Sequence, residues 1–191
     1  MESLEDLIQA WVTNKDLNIY YQKYKIYRET FLGLISKINI PFKEIYSPGN
    51  DINFYEYRFH FGKCIHSIEI SNKTLEIYKN QNIPLVFPHL LISSWTPYYF
   101  IFWERYDWKG RKFRHLPELT IESKDNKYEE DFITEIIRVS DSTKMIKFPL
   151  KEDRIIENSG PLFPWFEEKN LKISEILFQA GISINNLMVA Q

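Results

Sequence analysis

Asn53-Phe54-Tyr55-Glu56-Tyr57-Arg58-Phe59-His60-Phe61 decides the fold class. Tyr55, Tyr57, Phe59 and Phe61 alternate with Glu56, Arg58 and His60. A period of two marks a β-strand with one apolar and one polar face. The turn signal Ser47-Pro48-Gly49-Asn50-Asp51 stands just before it. After it Gly62-Lys63 reads as a turn, Ile65 to Ile70 as a second strand, Ser71-Asn72-Lys73 as another turn and Thr74 to Tyr78 as a short strand. The segment therefore has the pattern of a β-meander.

N-terminal to this stretch the period is helical. Leu4, Leu7, Ile8 and Trp11 are spaced for one face of a helix, with Ser3 as N-cap and Asp6 placed for a capping box. A second helix is predicted from about Leu17 to Ile38, where Tyr20, Tyr24, Tyr27, Phe31, Leu34, Ile35 and Ile38 form a stripe at steps of three and four. Pro41 ends it.

C-terminal to the meander, Asn80 to Pro97 contains Pro84, Pro88 and Pro97 and reads as irregular chain or short edge segments. Tyr98 to Arg105 is apolar on both faces and reads as a central strand. Asp107 to Arg114 reads as a turn region, and Leu119 to Ser123 as a returning strand. A helix is predicted over Tyr128 to Val139, a strand over Met145 to Phe148, and a last helix over Leu171 to Ala180, closed by Gly181. The sum is an α+β domain in which N-terminal helices pack on a mainly antiparallel, aromatic-rich sheet and a C-terminal helix follows. One domain is expected over 1–191: helical over about 3–40, sheet-rich over about 51–150 and helical over about 165–190.

Composition bounds the function classes. With 44% hydrophobic and 26% charged residues, the chain has the balance of a folded globular protein. At 191 residues it can bury roughly 70% of its unfolded surface, enough to fold without a metal or disulfide. Cys64 is the one cysteine, so no internal disulfide forms, in keeping with a reducing compartment. The acidic start Met1-Glu2-Ser3-Leu4-Glu5-Asp6 does not read as a secretory signal, and the apolar run near Tyr98 to Trp103 is too short to span a bilayer. A cytoplasmic protein with no membrane partner is expected. The net charge of −2 argues against a dedicated polyanion binder.

Chemistry-bearing motifs are sparse. Glycines are scattered singly, so neither a Walker loop nor a dinucleotide fingerprint is present, and no hydrolase elbow occurs. No cofactor is expected. His60, Cys64 and His66 would approach one another across a strand–turn–strand and are the candidate metal ligands, but the paired spacing of a zinc site is missing. Glu122-Ser123-Lys124 resembles the E-x-K end of the PD-(D/E)xK nuclease motif, where carboxylates hold Mg²⁺ and the lysine positions water. Its upstream carboxylate would be Glu104 or Asp107. If 108–114 forms the turn, Asp107 stands more than about 20 Å from Glu122 at the strand rise per residue, and Glu104 is the better candidate.

The strongest local signal is Trp108-Lys109-Gly110-Arg111-Lys112-Phe113-Arg114-His115, which packs four Lys and Arg cations into a net-acidic chain. Trp108, Lys109, Arg111, Lys112, Phe113, Arg114 and His115 are the candidate binding residues. Such a cluster suits an acidic protein surface, where Arg and Trp are favoured anchors, or phosphates with bases stacked on the rings. A solvated turn protected from edge pairing by its charges has the same composition. The expected function is a non-enzymatic protein-interaction module, of the kind found in bacterial immunity or antidote proteins and in accessory subunits of larger assemblies. The alternative is a nucleic-acid-binding protein or a metal-dependent nuclease.

Overall fold

The computed structural model describes residues 2–13, 15–38, 40, 42–48, 54–59, 76–77, 79–82, 85–108, 112–116, 127–157 and 170–178. Helix α1 is Leu4–Val12, and its capping box forms as the sequence predicts. The Ser3 Oγ accepts from the Asp6 N–H at 3.2 Å, and Asp6 accepts from the Ser3 N–H at 3.0 Å. Helix α2 is Leu17–Ile35, capped by Asp16 accepting from the Asn18 N–H at 2.9 Å. Glu2 joins the two helices through Lys23 and the Tyr24 hydroxyl.

The main sheet contains β1 (Phe42–Tyr46), β2 (Phe54–Phe59), β3 (Leu85–Ser93), β4 (Tyr98–Asp107) and β5 (Lys112–Leu116), in that spatial order and antiparallel throughout. Helix α3 spans Lys127–Thr143, longer at both ends than its periodicity predicts. It leads into β6 (Ile146–Lys147), which pairs with the start of β4 in parallel: Ile146 N–H donates to the Pro97 carbonyl and Phe148 N–H to that of Tyr99, each at 2.8 Å. A small ladder, β7 (Ile155–Ile156) with β8 (Leu171–Lys172), precedes helix α4 (Ile173–Phe178). Asp153 holds the start of α4 by accepting from the Ser174 N–H and hydroxyl, each at 2.9 Å.

The sheet is covered on both faces. On one, Phe54, Leu91, Phe100 and Phe102 pack against Leu7, Ile8 and Trp11 of α1 and Ile176 and Leu177 of α4. On the other, Phe59, Leu90, Ile92, Tyr99 and Ile101 pack against Phe31 and Ile35 of α2 and Phe132 and Ile136 of α3. Much of the aromatic content is therefore core: Phe59 meets Phe132 at 4.7 Å between ring centres, and Phe31 meets Tyr99 at 5.4 Å. No helix among the described residues is long and apolar enough to cross a membrane.

Several expectations are corrected. Leu85–Ser93 is no irregular edge segment but a strand paired on both sides. Pro88 lies within it opposite Trp103, and among the described residues the ladder to β2 reaches only the Arg58–His89 pair, one residue short of Pro88. Lys112 to Arg114 is strand, not turn: Asp107 pairs with Lys112 and Glu104 with His115. Glu76 and Ile77, expected in a strand, are helical, and Gln81 N–H donates back to the Ile77 carbonyl at 3.0 Å. Leu171 and Lys172, expected to open the last helix, are strand, and β1 is a strand the sequence pattern does not announce. The strands expected over Ile65 to Ile70 and Leu119 to Ser123 lie outside the described residues.

Candidate functional site

The register sets Arg58 opposite His89 and His89 opposite Phe102, and places Glu56 opposite Leu91. Directly opposed residues share a sheet face, as do residues two apart on one strand. Glu56, Arg58, His89 and Glu104 therefore sit together on the face that carries Leu91 and Phe102. The polar face of the β2 alternation does not point to water: Glu56 and His89 are each 6% exposed.

His89 is the centre of the cluster. Its Nδ1 lies 2.7 Å from Glu56 Oε1, a buried hydrogen bond in which the ring nitrogen donates to the carboxylate. Its Nε2 lies 3.5 Å from Glu104 Oε2, an ion-pair distance at which no well-directed hydrogen bond forms. The ring stacks on Phe102 at 4.6 Å. Arg58 lies over the Phe87 ring at 5.2 Å. Burial pulls the imidazole towards its neutral form, but Glu104 and Glu56 together outweigh it and raise the pKa above the ordinary histidine value. The arrangement favours imidazolium, a double donor, over the neutral ring that acts as a general base. Its chemical capacity is to hold a proton between two carboxylates and so tie three strands together.

Among the residues singled out by sequence, Glu104 is brought to His89 and Glu56. Glu122 and Lys124 lie outside the described residues, as do His60, Cys64 and His66. Among the described residues no group of three or more His, Cys, Asp and Glu side chains is arranged to hold a metal ion. Trp108 is half-buried at the turn after β4, and Lys109 and Arg111 lie outside the described residues. Lys112, Phe113, Arg114 and His115 fall on β5, where successive residues alternate between sheet faces. The eight-residue segment is thus split between the connection and a strand that pairs, among the described residues, with β4 alone, not one continuous tip.

Sequence reasoning missed Glu56 and His89 as a pair, because their strands are joined only by long-range register. The local signal for His89 is its interruption of the apolar run Leu85 to Ile92. Comparison with known protein families, with curated proteins and with solved structures finds no match.

Proposed function

We propose that this chain is a non-enzymatic protein-interaction module, of the immunity, antidote or accessory-subunit kind, and that the outer side of α2 is its docking surface. The observation that carries the reading is a stripe along that helix. Ile19 and Ile26 are 65% and 63% exposed and stand seven residues apart. Gly33, a further seven residues on, has open space where a Cβ would stand. A seven-residue repeat keeps these positions on one side of the helix, and the small third residue leaves room for a close partner. Single exposed apolar residues are ordinary on any surface, but an aligned pair beside an open glycine is the layout of a helix-packing seam.

The test is affinity purification from the source cells with the wild-type chain and with Ile19→Asp/Ile26→Asp. The wild type is expected to retain a stoichiometric protein that the double variant loses, with both unfolding at the same temperature. Equal capture by both chains overturns the assignment to α2.

A second reading, nucleic-acid binding through the β4–β5 hairpin, rests on the four cations between Lys109 and Arg114 around its four-residue connection, 108–111. It requires co-purifying material absorbing at 260 nm that salt strips off steeply. Salt-insensitive binding removes it.

A further inference from the structure

A buried guanidinium is ordinarily met by a carboxylate, because an uncompensated charge away from water is costly. Arg28 departs from this pattern. It is 1% exposed and forms no ion pair with any described residue. Its Nη1 donates to the Ser94 backbone carbonyl in the connection between β3 and β4. The guanidinium lies 4.4 Å from the centre of the Tyr21 ring and 6.0 Å from that of Tyr55, so π-faces supply part of what water would. Its Nε–H has no hydrogen-bond partner. Ser93 Oγ and Trp95 Nε1, on the residues that flank Ser94, are also buried without partners. An unmet buried polar group is uncommon in folded proteins and asks for an explanation.

With Nη1 committed to Ser94, the Nε–Nη2 edge remains, and that edge takes both oxygens of a carboxylate side-on. We propose that this edge of Arg28, walled by Tyr21 and Tyr55, is a carboxylate-binding site. The local charge selects the ligand class. Lys25, the nearest cation along the same side of α2, is exposed and lies 3.7 Å from Glu29, so it is already matched. A single guanidinium between aromatic walls neutralises a monoanion, whereas a phosphate dianion needs a second cation. Burial raises the Tyr55 pKa, while the Arg28 charge and a hydrogen bond that the Tyr55 oxygen accepts from the guanidinium oppose the rise, so the hydroxyl stays protonated and keeps its own O–H to donate. Tyr21 and Tyr55, the rings beside the guanidinium, are themselves half-buried.

The site is independent of the α2 stripe. Arg28 is nine residues from Ile19, two and a half helical turns, and so points to the opposite side of the helix. The carboxylate comes either from a free small acid or from an acidic side chain of a bound protein. Two probes separate these sources.

In the ¹⁵N-labelled full chain the Arg28 Nε–Hε resonance, assigned through bonds, is followed while acetate is added at constant ionic strength. N-acetyl-aspartate amide, chloride and inorganic phosphate are titrated in parallel. A saturable shift with acetate is expected at millimolar concentration, about tenfold tighter than with chloride or phosphate, a difference of one decade in affinity. It should persist in Lys25→Ala and vanish in Arg28→Lys. Tighter binding of acetate than of the aspartate amide assigns the site to free acids, and the reverse assigns it to an acidic side chain. A linear response, or equal responses to acetate and chloride, overturns the proposal. The titration uses the wild-type chain, so it stands even where a variant fails to fold, and it leaves the α2 capture experiment untouched.

Discussion

His89 and Arg28 are both basic groups removed from water, one in the middle of β3 and the other on α2 against the connection that follows β3, yet they are matched differently. His89 has Glu56 at 2.7 Å and Glu104 at 3.5 Å, one from each neighbouring strand. Arg28 has a neutral carbonyl and two tyrosine rings. Each leaves one ring or guanidinium N–H without a well-directed hydrogen bond, but the first carries its counter-ions within the sheet. The second has no carboxylate beside it among the described residues. The difference separates a charge that holds the fold together from a charge that is available to something else.

Removing one partner from a buried pair strands the other, so the sharpest test of this contrast compares Glu56→Ala with Arg28→Met. The first is expected to cost about 3–5 kcal/mol, because it leaves an uncompensated buried group. The second is expected to cost about 1.5 kcal/mol: one hydrogen bond to a charged group is lost, while a flexible apolar chain fills the space. Urea denaturation of both variants reads the difference. Equal losses would mean that Arg28 is as fully paired as His89, and the contrast would collapse.

Protonation of His89 sharpens the same comparison. The His89 pKa is raised in the folded chain, by Glu104 and Glu56 acting against burial. Its contribution to stability is therefore fully present below the unfolded value of about 6.5 and is lost as pH rises through the folded pKa. Stability should fall over that window in the wild type, and His89→Gln should flatten the fall. A histidine resonance titrating at or below the unfolded value would show that the carboxylates do not hold the proton.

What was legible in sequence divides along the same line. Alpha-helix α1 could be read because its signals are local: Ser3 and Asp6 cap each other across one turn, and Leu7 and Trp11 follow at helical spacing. Strand β4 could be read because an apolar run on both faces fits only a central strand. Strand β3 could not, because Pro88 and His89 interrupt its run, and its pairing with β2 and β4 is a matter of register. Glu56 alternates with Tyr55 and Tyr57 and reads as a solvent-facing residue; its burial depends on a histidine 33 positions away. Arg28 did leave a trace. It stands four residues after Tyr24 and three before Phe31, inside the buried stripe of α2, where a cation is out of place.

Local signals predict modest, local energies. Ser3→Ala removes an N-cap whose capping box is complete, and about 1 kcal/mol should be lost, since the remaining helix is held by its packing. A loss several times larger would mean that the cap also governs how α1 seats on the sheet. The accompanying readout is the protection of the α1 amides against hydrogen exchange, which should fall in the first turn alone.

The smallest effect on stability is expected where the sequence signal looked strongest. Lys109, Arg111, Lys112 and Arg114 changed together to alanine should shift stability by no more than about 0.5 kcal/mol in either direction, as surface substitutions away from caps and buried pairs do. The edge position of β5 gives the charges there a second role. Among the described residues β5 pairs with β4 alone, and lysine and arginine on an edge strand discourage pairing with another chain. The quadruple variant should therefore keep its melting temperature yet associate more readily as its concentration rises, which light scattering detects. If it stays monodisperse and loses a partner, the hairpin is a binding element; if it self-associates with its partner retained, the cations guard an edge.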